Sequence, residues 1–152
     1  MTMPIHRIYI DTSVFGGLFD PEFEAGSRML FDEIHAGSFH VVTSEVVRSE
    51  IDLSPRHVKK LYGSVSRKAE IAIVTDESLK LREAYVAAGV VTKQSRNDAL
   101  HVALATISQC STIVSWNFKH IVNFQKIPLY NAVNLLNGYT TIQIHSPHEM
   151  KR

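Results

Sequence analysis

Short β-rich runs alternate with amphipathic helices along almost the whole of this 152-residue chain. Parallel strands need helical connections and cover on both faces, so this order predicts a three-layer α/β/α fold with a central, mostly parallel sheet. The length suits one domain over residues 1–152. The predicted strands are 5–10, 39–43, 71–74, 112–115 and 127–130, and the predicted helices are 22–36, 45–51, 55–65, 76–88, 96–109 and 132–136.

Composition excludes several classes of protein. A net charge of +1 means that any nucleic-acid binding must rest on a local basic patch. The single Cys110 rules out an internal disulfide and a thiolate metal cluster within one chain. No apolar run approaches membrane-spanning length, and no signal peptide is recognisable. We therefore expect a cytoplasmic protein in a reducing environment, with no membrane partner.

Four side chains that carry oxygen stand where elements begin or end. Asp11 ends the first predicted strand, and Asn117 follows the fourth. Glu50 lies on the helix that Ser44 is expected to cap. Asp98 lies in the first turn of the most apolar helix, which Ser95 is expected to cap. Crevices of open α/β sheets form at the carboxyl ends of the strands, so we expect these side chains to converge there.

Each of the four also has a purely structural explanation. Asp11 suits a helix cap, and Asp98 suits the positive end of a helix dipole. Asn117 suits a turn after a strand, and Glu50 suits a solvated helix surface. Only their joint placement favours a site.

The chemistry that such a cluster serves is binding of Mg²⁺ or Mn²⁺. Hard divalent ions prefer oxygen ligands, and close carboxylates repel one another unless a cation or a proton intervenes. A bound cation polarises a phosphodiester and activates water. The eight histidines include no zinc-type pair at four-residue spacing with a glutamate between them.

Four segments, taken in order, resemble those of PIN-domain ribonucleases, most closely the VapC-type toxins of bacterial toxin–antitoxin pairs. The likeness extends from about residue 8 to about residue 144. The segments are IYIDTSVF (8–15), TSEVVRSEI (43–51), NDALHVALA (97–105) and IVSWNFKHI (113–121).

The resemblance implies a metal-dependent endoribonuclease that hydrolyses RNA phosphodiester bonds. It assigns metal ligation to Asp11, Glu50 and Asp98, and it places Ser13 where a hydroxyl commonly assists the metal site. Asn117 stands at a fourth catalytic position where many relatives have an acid. A neutral amide is a weaker ligand, so we expect one firmly held ion, with a second recruited together with RNA.

The resemblance also implies partners. We expect an RNA substrate, a protein antitoxin and a homodimer. Lys93 and Arg96 precede Asp98 and are candidates for phosphate contact, although a solvated surface explains them equally well. Trp116 is a candidate stacking surface for a base. For His101 and His120 we consider a supporting role beside the metal site or a phosphate contact, with packing or surface exposure as the commoner explanation.

The main alternative is a PIN-like module that binds RNA or protein without cleaving, and Asn117 is the residue that favours it. A receiver domain needs an acidic pair after the first strand, whereas Asp11 is followed by Thr12 and Ser13. The same three residues exclude a haloacid-dehalogenase phosphatase. Gly16 and Gly17 alone do not make a dinucleotide-binding fingerprint.

Overall fold

The structure is a computed structural model that describes residues 5–150, so residues 1–4 and 151–152 of the predicted domain lie outside it. Short 3-10 helices cover Lys93–Ser95 and Pro147–Met150. The strands are β1 (His6–Ile10), β2 (Phe39–Ser44), β3 (Glu70–Ala72), β4 (Thr112–Val114) and β5 (Gln143–His145). The helices are α1 (Thr12–Gly17), α2 (Glu24–His35), α3 (Glu45–Ile51), α4 (Arg56–Ser66), α5 (Asp76–Ala87), α6 (Arg96–Ile107) and α7 (Ile127–Leu136).

The five strands form one sheet in the order β3-β2-β1-β4-β5, and every neighbouring pair is parallel. The chain adds strands outward from β1 in one direction and then, from β4, in the other. The order therefore reverses between β1 and β4, which is where open α/β sheets form their crevice. In register, Ile10 of β1 lies opposite Val114 of β4.

Helices cover the sheet in two groups, as predicted for three layers. Helix α1 contacts α2, α3 and α4, α3 also contacts α4, and α5 contacts both α6 and α7. The middle of α6 is buried on all sides, because its residues from Ala99 to Thr106 are almost all apolar. The predicted α/β/α fold is confirmed.

The prediction was wrong in the last third of the chain. Residues 127–130 were expected to form a strand, but they begin helix α7, which runs to Leu136. Pro128 fits the first turn of a helix because that turn needs no backbone donor there. Tyr130, Val133 and Asn134 are the buried residues at helical spacing. The fifth strand is instead β5, which is only three residues long and was not predicted.

The predicted cap of α3 is confirmed, since Ser44 Oγ accepts the Val47 N–H at 3.2 Å. Ser95 precedes α6 as predicted, but its hydroxyl makes no cap hydrogen bond and instead contacts His120 Nε2 at 3.2 Å. Cys110 is buried, and burial raises the pKa of its thiol to about 12. Between residues 5 and 150, no helix combines the length and apolarity needed to cross a bilayer.

Candidate functional site

Asp11 lies buried at the carboxyl end of β1, beside the reversal in strand order. Its carboxylate accepts two hydroxyl hydrogen bonds, from Ser13 Oγ to Oδ1 at 2.6 Å and from Ser115 Oγ to Oδ2 at 2.8 Å. It makes no side-chain cap to helix α1, so the capping explanation fails here. An ionised carboxylate has about four acceptor positions, so both oxygens keep a free lone pair.

The two serines tie the end of β1 to the loop after β4. Ser13 Oγ accepts the Trp116 N–H and Ser115 Oγ accepts the Asn117 N–H, both at 2.9 Å. Each hydroxyl therefore donates to Asp11 while accepting from the neighbouring loop. This arrangement holds the carboxylate in one orientation. Ser115 was missed in the sequence, because a serine at the end of a strand has no distinctive pattern.

Glu50 extends from α3 and is 37% exposed at its side chain. Its Oε1 accepts the Thr12 hydroxyl at 3.0 Å and lies 2.7 Å from His101 Nε2. Because an ionised carboxylate only accepts, His101 Nε2 carries the proton. The other acid of α3, Glu45, accepts the Val74 N–H at 2.8 Å and so holds the segment after β3 rather than serving the site.

A buried hydrogen-bond chain lies behind Glu50. His101 Nδ1 is 2.8 Å from Tyr9 Oη, which is 2.7 Å from Ser44 Oγ. With neutral His101, Ser44 donates to Tyr9, Tyr9 donates to Nδ1, and Nε2 donates to Glu50. Every polar group of the chain is then satisfied, which is the condition for a buried network to stabilise a structure.

We expect Tyr9→Phe to lower the free energy of unfolding by about 1–3 kcal/mol, because buried His101 Nδ1 and the Ser44 hydroxyl each lose a partner. Urea denaturation measures this change. The control is Tyr62→Phe, since the buried Tyr62 hydroxyl lies near Thr43 without a hydrogen bond of good geometry to a described residue. Equal losses of unfolding free energy in the two variants would contradict a stabilising role for the hydrogen-bond chain.

The charges of the site act on one another. Burial raises the pKa of Asp11 despite the opposing effects of His101 and the two serine hydroxyls. Partial burial acts against the charged form of Glu50, yet the hydrogen bonds from His101 and Thr12 lower its pKa. Burial likewise disfavours charged His101, but its hydrogen bond to Glu50 and the fields of Asp11, Glu50 and Asp98 raise its pKa. All three predicted acids therefore lie within electrostatic range of one histidine.

Asp98 is the least constrained of the three acids. It lies in the first turn of α6 and is partly exposed. Its carboxylate makes no hydrogen bond or ion pair with any residue from 5 to 150. Lys93 and Arg96 are exposed just before it, on the 3-10 helix and at the start of α6.

Asn117 folds the loop after β4. Its Oδ1 accepts the His120 N–H at 2.9 Å, as expected for a turn-forming asparagine. The His120 ring points to Ser95, and its buried Nδ1 has no partner within residues 5–150. These two residues connect the loop to the start of α6, beside Asp98.

Trp116 is only 5% exposed and packs inside the domain. Its ring stacks on Phe23 with centroids 4.5 Å apart, and Nε1 donates to the buried Ser27 hydroxyl at 2.8 Å. The indole therefore has little surface available to a base. The accessible aromatic rings of this loop are Phe118, which is 48% exposed, and Phe124, which is 93% exposed.

The donor set matches a hard divalent cation in kind, because it consists of carboxylate oxygens. Asp98 is free of other bonds, and Asp11 keeps free lone pairs. Within residues 5–150, however, no three His, Cys, Asp or Glu side chains are gathered closely enough to form a metal cage. Mg²⁺ does not require one, since it is commonly held by one or two carboxylates together with waters and substrate phosphates. Asp11 and Asp98 fit that mode of binding. Glu50 is less available as a direct ligand, because its Oε1 is hydrogen-bonded to His101.

Comparisons with solved structures identify the class of fold. VapBC2 from Rickettsia felis, bound to a DNA fragment from its promoter, matches over 92% of this chain and 98% of that chain, with a TM-score of 0.59 and 15% identity. FitAcB from Neisseria gonorrhoeae matches over 92% and 97%, with a TM-score of 0.57 and 12% identity. VapC20 from Mycobacterium tuberculosis, described as a sarcin–ricin loop cleaving toxin, matches over 90% and 98%, with a TM-score of 0.52 and 17% identity.

No family model and no curated protein matches the chain. The three structural matches nevertheless confirm the resemblance to VapC-type PIN domains at the level of the fold. The chain has a PIN-like α/β/α fold over nearly its whole length. At 12–17% identity, the likeness identifies the architecture, while activity has to be argued from the site.

Proposed function

We propose that this protein is a Mg²⁺- or Mn²⁺-dependent endoribonuclease, the toxin of a VapC-type toxin–antitoxin pair. One observation carries the proposal. Asp11 is buried at the strand-order reversal, and two serine hydroxyls orient it beside a histidine that also feels the charges of Glu50 and Asp98. Burying a carboxylate costs free energy, so a buried and oriented carboxylate in a crevice is a candidate for a functional group. The fold shared with VapC-type proteins supports the same conclusion.

In this proposal Asp11 and Asp98 hold the ion, and Glu50 ligates it through water or orients the attacking water. A bound divalent ion supplies a polarised phosphodiester and a water of lowered pKa. Ser13 and Ser115 keep the Asp11 carboxylate oriented through their hydrogen bonds.

His101 has a supporting part in the proposal. It binds Oε1 of Glu50, and the other oxygen, Oε2, lies 3.5 Å from Asn97 Nδ2. A carboxylate held in this way is oriented before substrate arrives, which lowers the barrier without further rearrangement.

The proposal extends to the surroundings of the site. Lys93 and Arg96 are placed to meet phosphates next to Asp98. We assign Asn117 and His120 to the loop that supports the start of α6, and Trp116 to the packing beneath that loop. The proposed partners are an RNA substrate, a protein antitoxin and a second copy of the chain, and the proposed location is the cytoplasm.

The alternative is a PIN-like module that binds RNA or protein without cleaving. The observation that favours it is Asn117, whose side-chain oxygen is already used within its own turn. It contributes no charge at a fourth metal position. Without that charge, binding of a second ion depends on the phosphate of the substrate.

We expect the purified protein to cut a pool of structured RNAs with Mg²⁺ or Mn²⁺ and to stop completely in excess chelator, because no described side chain replaces the cation. Gel analysis of the products measures this, with activity restored on adding the metal back. Cutting that persists in chelator would overturn the metal assignment. RNA bound but never cut, with either ion, would establish the binding module instead.

A further inference from the structure

A cleft of about 490 Å³ opens beside the candidate site, between α1 and the start of α4. Its lining includes Thr12, the residue whose hydroxyl donates to Glu50, and continues past Gly16 to Phe19 and His57. The cleft therefore begins within one hydrogen bond of a proposed catalytic carboxylate.

A second, basic cleft of about 690 Å³ adjoins the first. Its lining is Arg56, His57, Lys59 and Lys60 of α4, so His57 belongs to both clefts. Residues three and four apart are neighbours on a helix surface, so Arg56 lies next to both Lys59 and Lys60. None of these three cations forms an ion pair with a residue from 5 to 150, and α4 contains no acid. Unpaired cations in a row are suited to a chain of phosphates.

An aromatic pair stands where the two clefts meet. Phe19 is 44% exposed and lies edge-on to the His57 ring, with centroids 4.4 Å apart. An exposed ring beside a row of cations is the combination that binds single-stranded RNA through stacking and backbone charge. The opposing charge on the lining is Asp20, whose Oδ1 accepts the Glu22 N–H at 2.9 Å.

We propose that these two clefts form one track for single-stranded RNA, which leads from Thr12 at the candidate site to the basic face of α4. Phe19 stacks on an unpaired base, and Arg56, Lys59 and Lys60 contact the phosphates that follow. The inference deepens the proposed nuclease function and rests on it for the direction of the strand.

The test measures binding separately from cleavage. The protein carries Asp98→Asn, and the ligand is a fluorescently labelled 12-nucleotide single-stranded RNA, followed by anisotropy at several salt concentrations. Lys59→Glu with Lys60→Glu should weaken binding at least tenfold. The slope of log affinity against log salt should fall by about 1.4, since each phosphate contact with a single strand contributes about 0.7. Phe19→Ala should weaken binding about five- to 100-fold through lost stacking.

The matched control is Arg67→Glu with Lys68→Glu, which makes the same change of charge just beyond the other end of α4. It should leave affinity within about threefold of the parent. Lys59→Ala with Lys60→Ala replaces the glutamate pair if thermal melting shows that the latter disturbs folding.

Equal weakening by the two glutamate pairs would reduce the effect to overall charge and overturn the track. If Lys59→Glu with Lys60→Glu left RNA binding unchanged but abolished binding of an acidic peptide such as oligoglutamate, this face would be a protein-docking surface. That result would also overturn the track. The protein with Asp98 intact is tested for cleavage in parallel. If it never cuts RNA, while binding still weakens in the track variants as expected, the nuclease proposal fails and the track stands.

Discussion

Asp98→Asn is expected to reduce RNA cleavage by about 1000-fold or more. A divalent ion contributes several kcal/mol of charge stabilisation to the transition state, and about 4 kcal/mol corresponds to a factor of 1000. The amide keeps the size and shape of the side chain but removes its charge. Because Asp98 has no hydrogen-bond partner within residues 5–150, the free energy of unfolding should fall only by the helix-dipole contribution of about 0.3–1 kcal/mol.

The matched control is Asp76→Asn, which removes an exposed acid from the first turn of α5. Both variants lose one negative charge at a helix N-terminus, so they share any effect of the dipole. Initial cleavage rates and urea denaturation curves of the two proteins separate catalysis from stability. A variant with Asp98→Asn that cuts as fast as the parent would remove Asp98 from the proposed site.

Trp116→Ala is expected to destabilise the protein by about 3–5 kcal/mol, the usual cost of truncating a buried Trp. The substitution removes the stack on Phe23 and leaves the buried Ser27 hydroxyl without its donor. The indole is also packed tightly against α1, because a Cβ built at Gly17 would lie 2.6 Å from Nε1. For a chain of this length the loss corresponds to a fall in Tm of about 10 °C.

Phe118→Ala is the control for this prediction, since it truncates the next aromatic residue of the same loop, where the ring is 48% exposed. We expect it to cost under about 1 kcal/mol. Thermal and urea unfolding measure both variants. If Trp116→Ala melted with the parent, the assignment of the indole to the core would be wrong.

Much of the fold follows from local patterns. The apolar run that ends at Ile10, the helical spacing of α2, and the start and stop residues Asp76 and Gly89 around α5 specify elements that the structure contains. The weakest patterns gave the errors. Residues 127–130 are too few to distinguish a strand from a helix by periodicity, and β5 owes its strand conformation to pairing with β4.

The candidate site was predictable only as a set of residue types. Asp11 stands out as an acid at a strand end and Asp98 as an acid in the first turn of a helix, whereas Glu50, in the last turn of α3, stands out through the resemblance of its segment to PIN-domain ribonucleases. The sequence places His101 near the predicted crevice, but it contains no sign that His101 would bind Glu50, or that Ser115 would bind Asp11. Those residues serve the packing of β4 and α6 as naturally as they serve a site.

The sequence by itself determined the order of strands and helices, the buried character of α6 and the placement of acids at element ends, because each depends on neighbours a few residues away. Only the tertiary structure decided which side chains meet. The bond between Ser115 and Asp11 spans 104 residues, and that between His101 and Glu50 spans 51. Such contacts depend on strand order and register, which place β1 next to β4 and bring α3 to α6.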